Sequence, residues 1–141
     1  MEAEAARDFV RHLNDELVCR GNLAIVDELF LADFVSHTSG DDVDRGGFKR
    51  MLASLRAALP DVHVATELVL ADGDLVAWRS ITRGTHAGEW LGVPATGRRV
   101  EWASIHIGRL RDGRFAEHWG SPDLLGLLTQ LGEVTDRKSV V

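Results

Sequence analysis

Apolar side chains recur three and four residues apart at Phe9, Val10, Leu13, Leu17 and Val18, which keeps them on one helical face over residues 6–20. Gly21 follows where a helix C-terminus favours a left-handed residue, so the spacing predicts an amphipathic helix. Asn22 is a capping residue for a second, short helix with Leu23, Val26, Leu29 and Phe30 on one side. Residues 33–37 then form a brief extended exit carrying His37, and the Asp- and Gly-rich residues 40–47 form a loop. A third helix over residues 46–59 turns Phe48, Met51, Leu52 and Leu55 inward before Pro60 stops it.

Beyond Pro60 the period falls from about 3.6 to 2. Val62, Val64, Thr66, Leu68 and Leu70 alternate with His63, Ala65, Glu67 and Val69, which assigns the first set to one face of a strand. Asp72-Gly73 and Asp112-Gly113 lie between alternating runs and predict two tight hairpins. Four antiparallel strands follow, ending near Leu70 and covering residues 75–85, 98–110 and 114–119, with a loop over residues 86–97. Ser121-Pro122-Asp123 opens a last helix that buries Leu124, Leu125, Leu127, Leu128 and Leu131 and ends at Gly132, with residues 133–141 as a frayed tail. Helices followed by a meandering sheet give an α+β fold in one domain, residues 1–141, with helices on one sheet face and room for a closed pocket between the layers.

Hairpin register sorts the polar side chains. Pairing Arg111 with Arg114 sets Gly108 opposite Glu117 and His106 opposite Trp119. Trp102, Ser104, His106, Gly108, Glu117 and Trp119 then share one face, and Ala103, Ile105, Ile107, Ala116 and His118 the other. The first face has the makeup of a pocket wall for a flat, partly polar ligand. The plainer alternative is a tryptophan-rich core or dimer face with His and Glu at its rim. His106 is a candidate general base or donor to an enolate oxygen, because an imidazole takes either form near neutrality. His37, where a short segment leaves a helix, reads more simply as a solvated loop histidine. Asp123 stabilises a helix N-terminus whatever else it does, and serves as acid or base only if apolar walls raise its pKa. The segment GTHAGEWLGVPATG at 84–97 is either a flap over a hydrophobic cavity or a long hairpin loop packed on its neighbour.

Composition removes several classes. The chain is 45% hydrophobic and 27% charged, as expected of a globular protein. Its 22 acidic and 16 basic side chains give a net charge of −6, which opposes nucleic-acid binding. No run approaches the length of a membrane span and the first residues are charged rather than signal-like, so a cytoplasmic protein is expected. Cys19 stands alone, P-loop and dinucleotide motifs are absent, and the six histidines lack ligand spacing, so no metal is expected.

The stretches DELFLADFVSH at 27–37, GTHAGEWLGVPATGRRV at 84–100, IHIGRLRDGRFAEHW at 105–119 and DLLGLLTQLG at 123–132 resemble the SnoaL-like polyketide cyclase family. That group lies within the superfamily of nuclear transport factor two, ketosteroid isomerase and scytalone dehydratase. The resemblance implies a cone-shaped, curled antiparallel sheet with N-terminal helices packed on its concave face around a deep cavity, and a homodimer formed through the outer sheet face. It also implies cofactor-independent intramolecular aldol closure of an aromatic polyketide ester, with an aspartate near the end of the last strand as acid and base and histidines assisting. His106 matches the strand histidine and His37 the histidine ending the second helical segment. Many relatives read EHWD where this chain has Glu117-His118-Trp119-Gly120. Asp123 is therefore the next carboxylate, with Glu117 its alternative, while Trp90, Trp102, Trp119 and Ser104 would contact a small hydrophobic or aromatic substrate. A hydrolase or hydroxylase-like enzyme and a non-catalytic ligand-binding dimer are the rival readings.

Overall fold

The computed structural model describes residues 2–38 and 40–133, so the expected tail falls outside the described residues from position 134 onward. Helix α1 (Ala3–Asn14) passes directly into a π-helical turn (Asp15–Cys19), in which Arg20 N donates to Asp15 O at 2.9 Å. The wider turn lets Leu17 and Val18, adjacent in sequence, both reach the interior. α2 (Ile25–Leu29) is shorter than its periodicity suggests, because Phe30 already begins strand β1 (Phe30–His37). The two-residue β2 (Val43–Asp44) leads into α3 (Arg45–Ala58), capped by Asp44, whose carboxylate accepts from Gly47 N at 2.8 Å.

Strands β3 (His63–Asp72), β4 (Leu75–Thr85), β5 (Arg99–Arg111) and β6 (Arg114–Pro122) complete a curled, unclosed six-stranded sheet in the order β2-β1-β6-β5-β4-β3. The expected exit strand is thus β1, and it pairs with β6 in parallel while the other ladders are antiparallel. Asp112 and Gly113 make the β5–β6 turn with φ of 55° and 73°, a primed hairpin turn. α4 (Leu124–Gln130) closes the described chain.

The aromatic core joins Phe9, Phe30, Phe34 and Phe115 edge to face at centroid distances of 4.6–5.4 Å. The Phe115 ring lies so close over Gly108 that a Cβ there would stand 2.2 Å from it, so this rung requires glycine.

Two β-bulges overturn the strand parity expected from simple alternation. In β6, Leu110 faces Phe115 but Arg109 faces Glu117, leaving Ala116 as the extra residue. Glu117 and Trp119 therefore sit on the outer face with Arg109 and Ile107, and His118 turns inward with Gly108. In β3 the register slips between Thr66 and Leu68, so Val69 is buried while Leu68 and Leu70 are 63% and 70% exposed. One inserted residue moves every later side chain to the opposite face. Met51, expected inward, is exposed on α3, and Leu124 and Leu125 are exposed on α4.

Candidate active site

A cavity of about 400 Å³ opens between the helices and the inner sheet face, a size that accommodates a small polycyclic ligand. Leu13, Leu17 and Val18 cover it from the first helical segment, Phe48, Leu52 and Leu55 from α3, and Val64, Trp78, Trp102 and Phe115 from the strands. Met51, Leu91 and Leu124 line it while remaining about half exposed, which places them at its mouth. Leu91 and Gly92 turn the loop after β4 with φ of 55° and 75°, inside a bridge between Trp90 and Val93. His86 anchors the loop base: Thr96 Oγ1 lies 2.9 Å and Thr96 N 3.2 Å from Nδ1 of its buried ring, and its backbone pairs with Gly97 and Arg98. The segment is thus a packed hairpin with one apolar residue over the cavity.

Four polar side chains of the inner face form a hydrogen-bonded chain. Ser36 Oγ lies 2.8 Å from His118 Nδ1, His118 Nε2 lies 2.8 Å from His106 Nδ1, and His106 Nε2 lies 2.8 Å from Ser104 Oγ. The parallel β1–β6 pairing carries Ser36 to His118, and the β6 bulge turns His118 to His106. Trp78 stacks on His106 at 5.1 Å. Burial pushes His106 down to about 4, and burial together with the neighbouring imidazoles pushes His118 down to about 3. Both rings are therefore neutral at pH 7, each with one N–H to donate.

The other candidates are distributed differently. Trp102 and Ser104 line the cavity as expected, and Trp90 backs Trp102 at 5.4 Å from outside the lining. Glu117 and Trp119, expected on the pocket wall, face outward because of the Ala116 bulge. His37 joins them there: its Nε2 is 2.9 Å from Glu117, its Nδ1 3.0 Å from Asp42, and it stacks on Trp119. The Glu117 and Asp42 carboxylates hold its pKa above the ordinary value. Arg109 extends this outer cluster, binding Glu117 at 3.1 Å and Asp74 at 2.9 Å. Asp123 caps α4, accepting from Gly126 N at 3.0 Å, and sits between two cavity-lining residues, Pro122 and Leu124, without lining the cavity itself. Gly120 does line it, and a Cβ there would stand 3.2 Å from His106 Nδ1.

Sequence reasoning missed Ser36, Trp78, Ser80 and His118. The signal for His118 was available: an unbroken strand would put Phe115 and Glu117 on the same face, a pairing of core phenylalanine and carboxylate that the Ala116 bulge avoids. Among the described residues no group of three His, Cys, Asp or Glu side chains could hold a metal ion, and no helix is long and apolar enough to cross a membrane.

Known proteins are similar to this chain in sequence and in fold. Aklanonic acid methyl ester cyclase of Streptomyces peucetius is 48% identical over 50 residues, which are 36% of this chain and 34% of that one. Nogalonic acid methyl ester cyclase of Streptomyces nogalater is 32% identical over 87 residues, 62% of this chain and 61% of that one. The matches thus span from about a third to about three-fifths of these relatives. Among solved structures, IdmH of Streptomyces antibioticus, a candidate polyketide cyclase, is 36% identical with a TM-score of 0.79, covering 90% of this chain and 98% of its own. AclR of Streptomyces galilaeus, a candidate hydroxylase, is 25% identical with a TM-score of 0.86, covering 95% and 100%. The family profile described as SnoaL-like polyketide cyclase matches residues 8–131, from α1 through the inner histidines to the last helix, and the chain belongs to that family.

Proposed function

We propose that the protein closes a ring in an aromatic polyketide ester by cofactor-independent intramolecular aldol condensation. The carrying observation is the apolar cavity with one polar track, in which two neutral imidazoles end at the Ser104 hydroxyl. A carbon between two carbonyls is already acidic, so folding the substrate into a reactive conformer in a dry site supplies much of the rate. Asp123, between the lining residues Pro122 and Leu124, turns its carboxylate from Gly126 N into the cavity mouth, takes the proton from that carbon and returns it to the alkoxide formed when the new carbon–carbon bond closes. His106 supports the enolate oxygen through Ser104, whose hydroxyl its N–H orients, and Trp102 and Trp78 offer flat surfaces to the rings. His37 acts from the outer face, by holding the end of β1 against Glu117 and Trp119.

An NMR time course in heavy water with a methyl-ester aromatic polyketide bearing an activated methylene tests this. Enzyme-dependent deuterium uptake and ring closure are expected, both abolished by Asp123→Asn. Exchange that survives in that variant moves the base to another group. The similarity to AclR supports a second reading, a hydroxylase-like enzyme, which a water- or dioxygen-derived oxygen label in the product distinguishes.

The outer face exposes Leu68, Leu70, Ile105 and Ile107, and Trp119 continues their row beside Ile107. We read this patch as the contact with a second copy of the chain. Ile107→Lys is expected to halve the mass measured by light scattering.

A further inference from the structure

The inner hydrogen-bonded chain has a direction, and Ser36 sets it. Ser36 is fully buried, and its hydrogen-bond partner among the described residues is His118 Nδ1. If His118 donated at Nδ1, the Ser36 hydroxyl proton would be buried without an acceptor, which costs more than leaving a lone pair idle. Ser36 therefore donates to His118, His118 Nε2–H donates to His106, and His106 Nε2–H donates to Ser104 Oγ. Neutral rings have one N–H each, so the order is complete, and the remaining donor at the end of the chain is the Ser104 hydroxyl.

Ser80 is the residue paired with Ser104 across β4 and β5. It is 2% exposed, lines the same cavity, and its Oγ has no hydrogen-bond partner among the described residues. A buried hydroxyl beside a second hydroxyl with a proton to give, both at the wall of an apolar cavity, lacks an acceptor that a ligand would bring. We propose that Ser80 and Ser104 together bind one carbonyl oxygen of a flat aromatic ketone or quinone, each donating a hydrogen bond. Because Ser104 already accepts from His106, its own proton is free to be given, and with the Ser80 proton it suits an oxygen that accepts twice. Ser80 and Ser104 are thereby specificity-determining residues, and His106, His118 and Ser36 are positioning residues that act through Ser104. This inference rests on reading the cavity as an aromatic-ketone site.

9-Fluorenone and its oxygen-free analogue fluorene provide the test. Tryptophan fluorescence gives the affinities, and the infrared carbonyl band of bound fluorenone reports its hydrogen bonding. The expected result is that both molecules bind and that the carbonyl band lies below its position in cyclohexane. Ser80→Ala and Ser104→Ala should each move it part of the way back, and weaken fluorenone binding about 2–10-fold while sparing fluorene. Ser104→Thr, which keeps the hydroxyl, should restore the band. Both probes bound, with the band at its cyclohexane position or unmoved by the serine variants, overturns the inference alone. Failure of both probes to bind the wild-type protein overturns the aromatic-ketone reading of the cavity and the inference with it.

Discussion

His118 and His37 occupy consecutive rungs of the β1–β6 ladder, where Ser36 faces His118 and His37 faces Trp119, yet their protonation is driven in opposite directions. On the inner face, burial and neighbouring imidazoles lower His118 to about 3. On the outer face, half-exposed His37 lies between the Glu117 and Asp42 carboxylates, which raise it. A single step along the sheet separates a neutral hydrogen-bond relay from an imidazole that two carboxylates draw toward its charged form. Residue type alone assigns neither role; the face does.

The largest expected effect is in acid. His106 and His118 are depressed below an unfolded value near 6.5, so the unfolded chain binds more protons between that pH and about 3. The stability they contribute is complete above pH 6.5 and is lost as pH falls through the folded values, by on the order of a few kcal/mol. Urea unfolding across pH 7 to 4 measures this, and equal stability at both ends would erase the contrast between the faces. His118→Leu comes next, because it strands His106 Nδ1 and the Ser36 hydroxyl; a loss of about 1–3 kcal/mol at pH 7 is expected from denaturant midpoints.

Gly120→Asp sharpens the comparison by carrying a carboxylate to the inner pair. Nitrogen NMR titration should show His106 rising relative to a Gly120→Ala control, which shares the crowding but not the charge. Glu117→Gln should have the smallest effect on stability, since its partners His37 and Arg109 are both partly exposed. It should lower the His37 titration toward its ordinary value. The sign here is reversed: protonated His37 stabilises the fold below about pH 6.5, and that contribution fades as pH rises through its raised folded value.

The helices and hairpins were legible because their signals are local. The spacing of Phe9, Leu13 and Leu17, the helix stop at Pro60 and the Asp112-Gly113 turn each act within a few residues. The π-turn at Asp15–Cys19 was hidden because its apolar residues also satisfy ordinary helical spacing. Of the candidate site, His106, Ser104 and Trp102 were placed on the correct face, since β5 runs unbroken against β4. Glu117 and Trp119 were misplaced by the Ala116 bulge, just as Leu68 and Leu70 were by the slip in β3.

The sequence by itself determined the order of elements, the change from helical to strand period and the family resemblance. It also marked most of the side chains able to do chemistry. Tertiary structure decided which of them meet. Strand parity is a running count that one bulged residue inverts, and the parallel pairing of β1 with β6 joins residues some eighty positions apart, as in the contact of Ser36 with His118. No local pattern encodes that meeting, because it depends on which strand edge remains free once the hairpins have formed.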